Sequence, residues 1–365
     1  MRPSHWLNNQ KITEISKKTA KKGLPFFAVF CYTIDIYTLF EEETRTMLNF
    51  INALPGAVAQ GLIWGIMAIG VYITYQILDI ADLTVDGSFC TGGAVFVVLF
   101  AGGVNVWLAM LAALLAGMAA GLATGLLHTV CGIPAILAGI LTQLGLYTVN
   151  MAVMAFKSSV ALPITQEDML DKLLVSLRFV QGSKSGYPIW RHPVVVVGLM
   201  TAALIAILYW FFGRELGAAL RATGSNQNMA RAQGINTDWA KVLGLVLSNG
   251  LVALSGALMC QYNGANNIDV GRGAIVIGLA AVVIGEVIFG RIFRNFALKL
   301  LAVSFGAIIY YVVITAVLKL GDLNANYLKL LTALVVAVFL TIPYWKGKYF
   351  SKPVNPAKKE ELPHA

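Results

Sequence analysis

"ALRATGSNQNMARAQGI", residues 219–235, is a run of small, polar and basic residues set between two long apolar segments. What it can do depends on what surrounds it. The 365 residues are 58% hydrophobic and only 12% charged, with a mean hydropathy of +0.74. A soluble domain carries about 25% charged residues. The composition is that of an all-α polytopic membrane protein, with the bilayer as its main solvent. The formal net charge of +9 is therefore a topology signal, since Lys and Arg in short loops orient a chain in the membrane. It is not read as a nucleic-acid footprint. Cys31, Cys90, Cys131 and Cys260 form no CxxC and lie in or beside apolar segments. They read as small hydrophobes, with no metal and no disulfide framework implied.

About 20 apolar residues cross a bilayer as helix. Nine spans are expected, at roughly 54–78, 87–101, 105–127, 133–156, 193–212, 242–262, 274–289, 297–318 and 327–344. The second and seventh are short for a full crossing. Small residues are dense in the spans, as in "LLAGMAAGLATG", and such residues let helix backbones approach closely in lipid. The basic tail 346–365 is placed in the cytoplasm. Counting back puts Arg291 and Arg294 inside. It also puts the loop 213–241 inside, with Arg214, Arg221, Arg231 and Lys241. The loop 157–192 then falls outside. It carries Lys157, Lys172, Arg178, Lys184 and Arg191 against the rule, diluted by Glu167, Asp168 and Asp171.

Residues 1–23 are basic, and 24–40 is an apolar run interrupted by Asp35. No small-residue cleavage site follows it, which argues against a removable signal. It is either a tenth span or an extension, with the working protein starting at Met47. The chain divides on this reading into an extension or extra span at 1–46, a transmembrane domain at 47–345 and a basic cytoplasmic tail at 346–365.

Shifted by 186 residues, the first spans overlay the sixth and seventh: Gly70 meets Gly256, Gly87 meets Gly273, and Gly92 meets Gly278. The matched segments are an odd number of spans apart and so run in opposite directions. That predicts an inverted repeat, with the solute route at the repeat interface near broken helices.

Within the opening stretch, Ser225 is a candidate N-cap. Residues 226–233 can then be helical. Gly234 sits where a helix ends in a left-handed residue, with Ile235 as its closing contact. Thr237 can cap the next helix. A two-turn helix is not stable alone and must pack against something. Met229, Ala230 and Ala232 offer a small face flanked by Arg221 and Arg231, and a cytoplasmic partner protein is its natural receiver.

"GRELGAALRATGSNQNMARAQGIN" (213–236), followed by "KVLGLVLSNGLVALSGAL" (241–258), resembles the permease subunits of bacterial ABC importers. The branched-chain amino acid and ribose permease superfamily is the group it looks most like. "DLTVDGSF" (82–89), "GIPAILAGILTQLGLYTV" (132–149) and "GLAAVVIGEVIFG" (278–290) carry the resemblance further, over roughly 54–344. The resemblance implies a multi-pass inner-membrane subunit that does no covalent chemistry and is not an enzyme. Two copies would pair as a homodimer surrounded by membrane lipid. Separate cytoplasmic ATPase subunits would dock on the loop through Arg221, Ser225, Asn228, Met229, Arg231 and Gly234. An extracytoplasmic solute-binding protein would deliver a small polar solute, with amino-acid uptake systems the nearest in kind. Glu286 departs from the family, where a small residue is more usual.

Other polar groups are candidates for the solute route. Asp79, Asp82 and Asp86 stand at a junction of two spans, where acids need water or a partner. Asp79 and Asp82 read as a solvated turn. Thr84, Asp86 and Ser88 read either as pathway groups or as caps of the short span. Glu286 is the one carboxylate inside an expected span. It is either a proton or substrate contact or a structural partner of Arg291 or Arg294. Gln143, Asn150 and Asn249 read as groups that bind neighbouring helices. "QGSKSG" (181–186) lacks the glycine spacing and GK[ST] ending of a phosphate loop. His5, His128, His192 and His364 are scattered. No ATP site, metal or other cofactor is therefore expected on this chain. A stand-alone secondary transporter is the rival reading, since inverted repeats and a membrane acid suit it too. A membrane-embedded enzyme would need clustered His, Asp or Cys, which the spans lack.

Overall fold

The computed structural model describes residues 25–163, 173–175, 192–290, 292–293, 295–320, 330, 332–339 and 341, with 25–46 and 320 described by backbone alone. Several sequence features lie outside these residues. They are the basic segment 1–23, most of the loop 157–192 with its 181–186 run, Arg291, Arg294 and the tail 346–365. Two compact units are distinguished, one of residues 1–53 with 316–323 and one of 54–315 with 324–365. The helix packing and the candidate sites belong to the second.

The described residues are mainly helical, with one short strand pair among them. Helix α1 (Pro25–Tyr72) continues into a π-helical turn, Ile73–Ile77. Then come α2 (Val85–Ala101), α3 (Val106–Thr129), α4 (Ala135–Val153), strand β1 (Ser159–Ala161) and α5 (Pro193–Phe212). Two short helices, α6 (Glu215–Ser225) and α7 (Gln227–Ala232), precede α8 (Thr237–Asn263). Strand β2 (Ala265–Asn267), α9 (Ala274–Phe289) and α10 (Phe296–Leu320) complete the named elements. Strand β2 pairs antiparallel with β1. Residues 332–339 are helical as well, within the ninth expected span.

Six described helices are long and apolar enough to cross a membrane, and α2 and α9 are apolar but shorter. These are the two spans whose apolar runs are also short in the sequence. Residues 25–40 of the first apolar run have helical backbone, as part of α1. The span ends follow local chemistry. The Asn105 side chain accepts from Trp107 N at 3.0 Å to start α3, and Pro193 opens α5 where a missing N–H costs nothing. Beyond the π turn the chain reverses at Asp79, whose φ of +55° is a left-handed state that a short polar side chain tolerates.

Helix α8 is the centre of the bundle, with 83% of its most apolar window buried. It packs on α2 and α3 through backbone contacts that only glycine allows. A Cβ at Gly92 would stand 1.8 Å from the Ala253 carbonyl oxygen, and one at Gly121 would stand 2.3 Å from that of Leu245. In lipid there is no hydrophobic drive between helices, so this close van der Waals approach is what holds them together. Two serines add hydrogen bonds. Ser248 Oγ donates to Gly70 O, and Ser255 Oγ donates to Ile63 O, each at 2.7 Å. As the α8 number rises the α1 number falls, so α1 and α8 run antiparallel.

The inverted repeat is visible in this arrangement. Helices α1 and α8 are the segments that a shift of 186 matches, and they point in opposite directions. Displaced by 186, α2 would span 271–287, and α9 spans 274–289. Displaced likewise, α3 would span 292–315, and α10 spans 296–320. The contacts repeat too. Gly92 abuts Ala253, while its counterpart Gly278 abuts Met67, whose own counterpart is Ala253.

Gly92→Ala is expected to lower the thermal unfolding midpoint of the purified protein, because over-packing at a filled contact costs about 1–3 kcal/mol. Gly145→Ala, where an added Cβ meets nothing within 4 Å, should leave the midpoint unchanged or raise it. A thermal scan of both variants in the same detergent checks this.

Candidate functional site

The loop between α5 and α8 folds into the helical hairpin that its capping residues require, with two corrections to the expected caps. Ser225 is the last residue of α6, and the cap of α7 is Asn226, whose side chain accepts from Met229 N at 3.1 Å. The cap of α8 is Asn236, accepting from Trp239 N at 3.1 Å. Asn competes well with Ser and Thr at this position, and the extended backbone of Asn226 is the geometry a cap needs. Thr237 instead accepts from Arg231 Nε at 2.7 Å.

The end of α7 is as the sequence implies. Gly234 has φ +81°. Ile235 N donates to Ala230 O, and Gly234 N donates to Arg231 O, both at 3.0 Å. This pair of bonds is the Schellman closure, and it consumes carbonyls that would otherwise be left free. Arg231 also reaches Asp238 at 3.2 Å, so α7 is pinned to the start of α8. The expected face of Met229, Ala230 and Ala232 divides in two. Ala230 is fully buried, while Asn228, Met229 and Ala232 are exposed. Arg221 donates from Nη2 to Phe212 O at 3.0 Å, tying α6 to the last turn of α5. A Cβ at Gly224 would stand 1.8 Å from Ile77 O. The hairpin is thus clamped to the π turn that ends the first span.

At the junction before α2 the acids do not form one solvated turn. Asp82 is buried, at 2% exposure. Its Oδ1 accepts from Thr84 N at 2.9 Å, and its Oδ2 accepts from Asn249 Nδ2 at 2.7 Å. The other end of the Asn249 amide accepts from Ser88 Oγ at 2.6 Å. Thr84 shares a hydrogen bond with Thr124 of α3 at 2.7 Å. Thr84 and Ser88 are fully buried, so both hydroxyls serve helix neighbours. Asn249, the partner of Ser88, lies halfway along α8, which puts the start of α2 at mid-bundle. Asp86 caps α9 across the repeat interface: Gly273 N donates to Oδ2 and Ile275 N to Oδ1, each at 2.9 Å. A carboxylate at a helix N-terminus is favoured by the helix dipole.

The same junction opens on a cavity of about 380 Å³, lined by Asp86, Cys90, Gln143, Tyr147, Asn150 and Arg272 among others. Arg272 Nε donates to Asp269 Oδ1 at 3.0 Å, and its guanidinium lies 5.7 Å from the Tyr147 ring centroid. Of the residues singled out from sequence for the solute route, Asp86 alone lines this cavity. Glu286 sits on an exposed side of α9, and its expected partners Arg291 and Arg294 lie outside the described residues. Sequence reasoning missed Arg272 and Tyr147. A cation within two residues of a short apolar span was the available signal.

Two short apolar helices, one capped by Asp86 of the other across an inverted repeat, make the frame of a membrane transport subunit. The chain belongs to the family described as the branched-chain amino acid transport system permease component, whose model matches residues 54–340. It is the permease component of an ABC importer and a multi-pass protein of the bacterial inner membrane. It is 34% identical over 290 residues to a tyrosine transport system permease protein of Clostridioides difficile (strain R20291), covering 80% of this chain and 91% of the relative. It is 31% identical to uncharacterized protein RP368 of Rickettsia prowazekii (strain Madrid E), covering 80% of this chain and 98% of the relative. Among solved structures, PsaBC from Streptococcus pneumoniae in complex with Fab aligns with a TM-score of 0.49 at 14% identity, over 83% of this chain and 98% of that one.

Asn249→Ala should destabilise the protein, because it strands Asp82 and Ser88 in the interior, and each buried polar group left unpaired costs about 1–3 kcal/mol. The check is a lower thermal midpoint than that of Asn228→Ala, an exposed position on α7.

Proposed function

We propose that this permease moves an amino acid inward, driven by separate cytoplasmic ATPase subunits that dock on α7. The observation that carries the docking is the construction of α7. It is six residues long and capped at both ends, too short to hold itself, yet fixed to α8 through Arg231. Asn228 and Met229 stand exposed on it, as a contact surface requires. Arg221, Ser225 and Gly234 shape the hairpin around it. ATP binding would draw two such helices together, one from each copy of a homodimer, since symmetric pairs are the common oligomer. An extracytoplasmic binding protein would deliver the solute at the opposite end. The amino-acid substrate is supported by the family and by the likeness to a tyrosine permease. On this reading 47–345 is the permease domain, with 1–46 and 346–365 flanking it. Thr84 and Ser88 set the packing beside the solute route and Asp86 faces it, while Glu286, on the exposed side of α9, takes no part in the cavity.

The test is gentle purification of the tagged chain from its native membranes, with mass spectrometry of what accompanies it. An ATPase bearing a phosphate loop should co-purify with the wild type and be lost when 226–235 is scrambled. A chain that emerges alone and moves solute without ATP would overturn the reading. Gly234→Val forces a β-branched residue into left-handed backbone. It is expected to cut uptake and transport-linked ATP hydrolysis severalfold while leaving membrane insertion unchanged on a blot of the membrane fraction.

A further inference from the structure

We propose that the cavity between α2, α4 and the start of α9 binds the zwitterionic head of an amino acid, with the ammonium on Asp86 and Asn150 and the carboxylate on Arg272. The inference rests on the amino-acid reading above and assigns residues to it.

Three observations converge. First, the cavity of about 380 Å³ is in the size range of small-molecule sites, and it presents both signs of charge, Asp86 and Arg272. Each has a reason to stay in place. Asp86 is anchored by two backbone amides of α9, and a carboxylate offers about four lone-pair positions, so capacity remains. Arg272 uses Nε on Asp269 and lies beside Tyr147. Its two terminal nitrogens are left to meet a carboxylate in a forked, two-bond geometry.

Second, Asn150 is 1% exposed. Its Nδ2 donates to Gly87 O at 3.3 Å, but its Oδ1 has no hydrogen-bond partner. A buried acceptor without a donor costs about 1–3 kcal/mol. What the site lacks is an N–H, and an ammonium brings three. Third, the acceptors and the cation come from different elements that converge on the cavity: α2, α4 and the turn before α9. A site so assembled discriminates by charge separation. A solute without an ammonium would leave the buried Asn150 acceptor unanswered, and sites with buried polar groups reject partners that leave them unpaired; a solute without a carboxylate would lose the forked pair with Arg272, whose side chain is 59% exposed.

The experiment uses the complete importer in liposomes, with the twenty common L-amino acids tested singly for ATP-driven uptake. The fastest is then bound to the permease–ATPase assembly without the binding protein, alongside its decarboxylated amine. In the wild type the amino acid should bind at least tenfold more tightly than the amine. Arg272→Gln should abolish that preference by weakening the amino acid alone. Arg272→Lys should restore part of it, and Lys157→Gln should change nothing. Asn150→Leu should weaken amino acid and amine together. If no amino acid is transported, the functional reading fails and this assignment with it. If an amino acid is transported but Arg272→Gln keeps the wild-type preference over the amine, the assignment alone is overturned.

Discussion

One side-chain amide organises this bundle. Asn249 donates to the buried carboxylate of Asp82 and accepts from Ser88, joining the middle of α8 to the turn before α2. A helix that starts at mid-bundle leaves its first amides with no helical partner, and lipid supplies none. Such a start survives only where protein surrounds it. The Asp82–Asn249–Ser88 chain does that, and the Thr84–Thr124 bond extends it to α3. Everything that depends on where α2 starts follows from this set of bonds, including the meeting of Asp86 with α9.

Glycine makes the same junction geometrically accessible. The contacts of Gly92 on Ala253 and of Gly121 on Leu245 bring the backbones of α2 and α3 against two sides of α8. A hydrogen-bonded network between helices needs that proximity, because Ser and Asn side chains are short. Polar pairing and small-residue packing are therefore one device here.

Much of this was legible in the chain itself. Apolar run lengths gave the spans, including which two are short, since hydrocarbon thickness fixes that scale. Gly234 announced the end of α7 because a left-handed residue has few alternatives. The caps were less legible: Ser225 and Asn226 are adjacent and both competent, and the choice between them is made by where α6 stops, which Gly224 against Ile77 decides through a tertiary contact. Asp82 was read as solvated because its partner Asn249 is 167 residues away, beyond any local pattern. Asn150 was legible as a group that binds a neighbouring helix, and it does bond Gly87 of α2; Arg272 and Tyr147 were obscure, since a cavity assembled from three distant segments leaves no periodicity to read.

The directness of the join between α7 and α8 has a mechanical consequence. Only residues 233–236 separate them, and Arg231 bridges even that gap. Helix α8 has 27 residues, about 40 Å at roughly 1.5 Å per residue, and it is a single helix without a proline. It is a stiff rod with its foot bolted to a short crossbar. A tilt of about 5° at the foot would carry the far end about 3.5 Å, by the length of that rod. That far end leads through β2 into the turn that holds Asp269 and Arg272. A push on α7, if a partner supplied one, would thus become an ångström-scale stroke at the mouth of the cavity, with no hinge needed along the way.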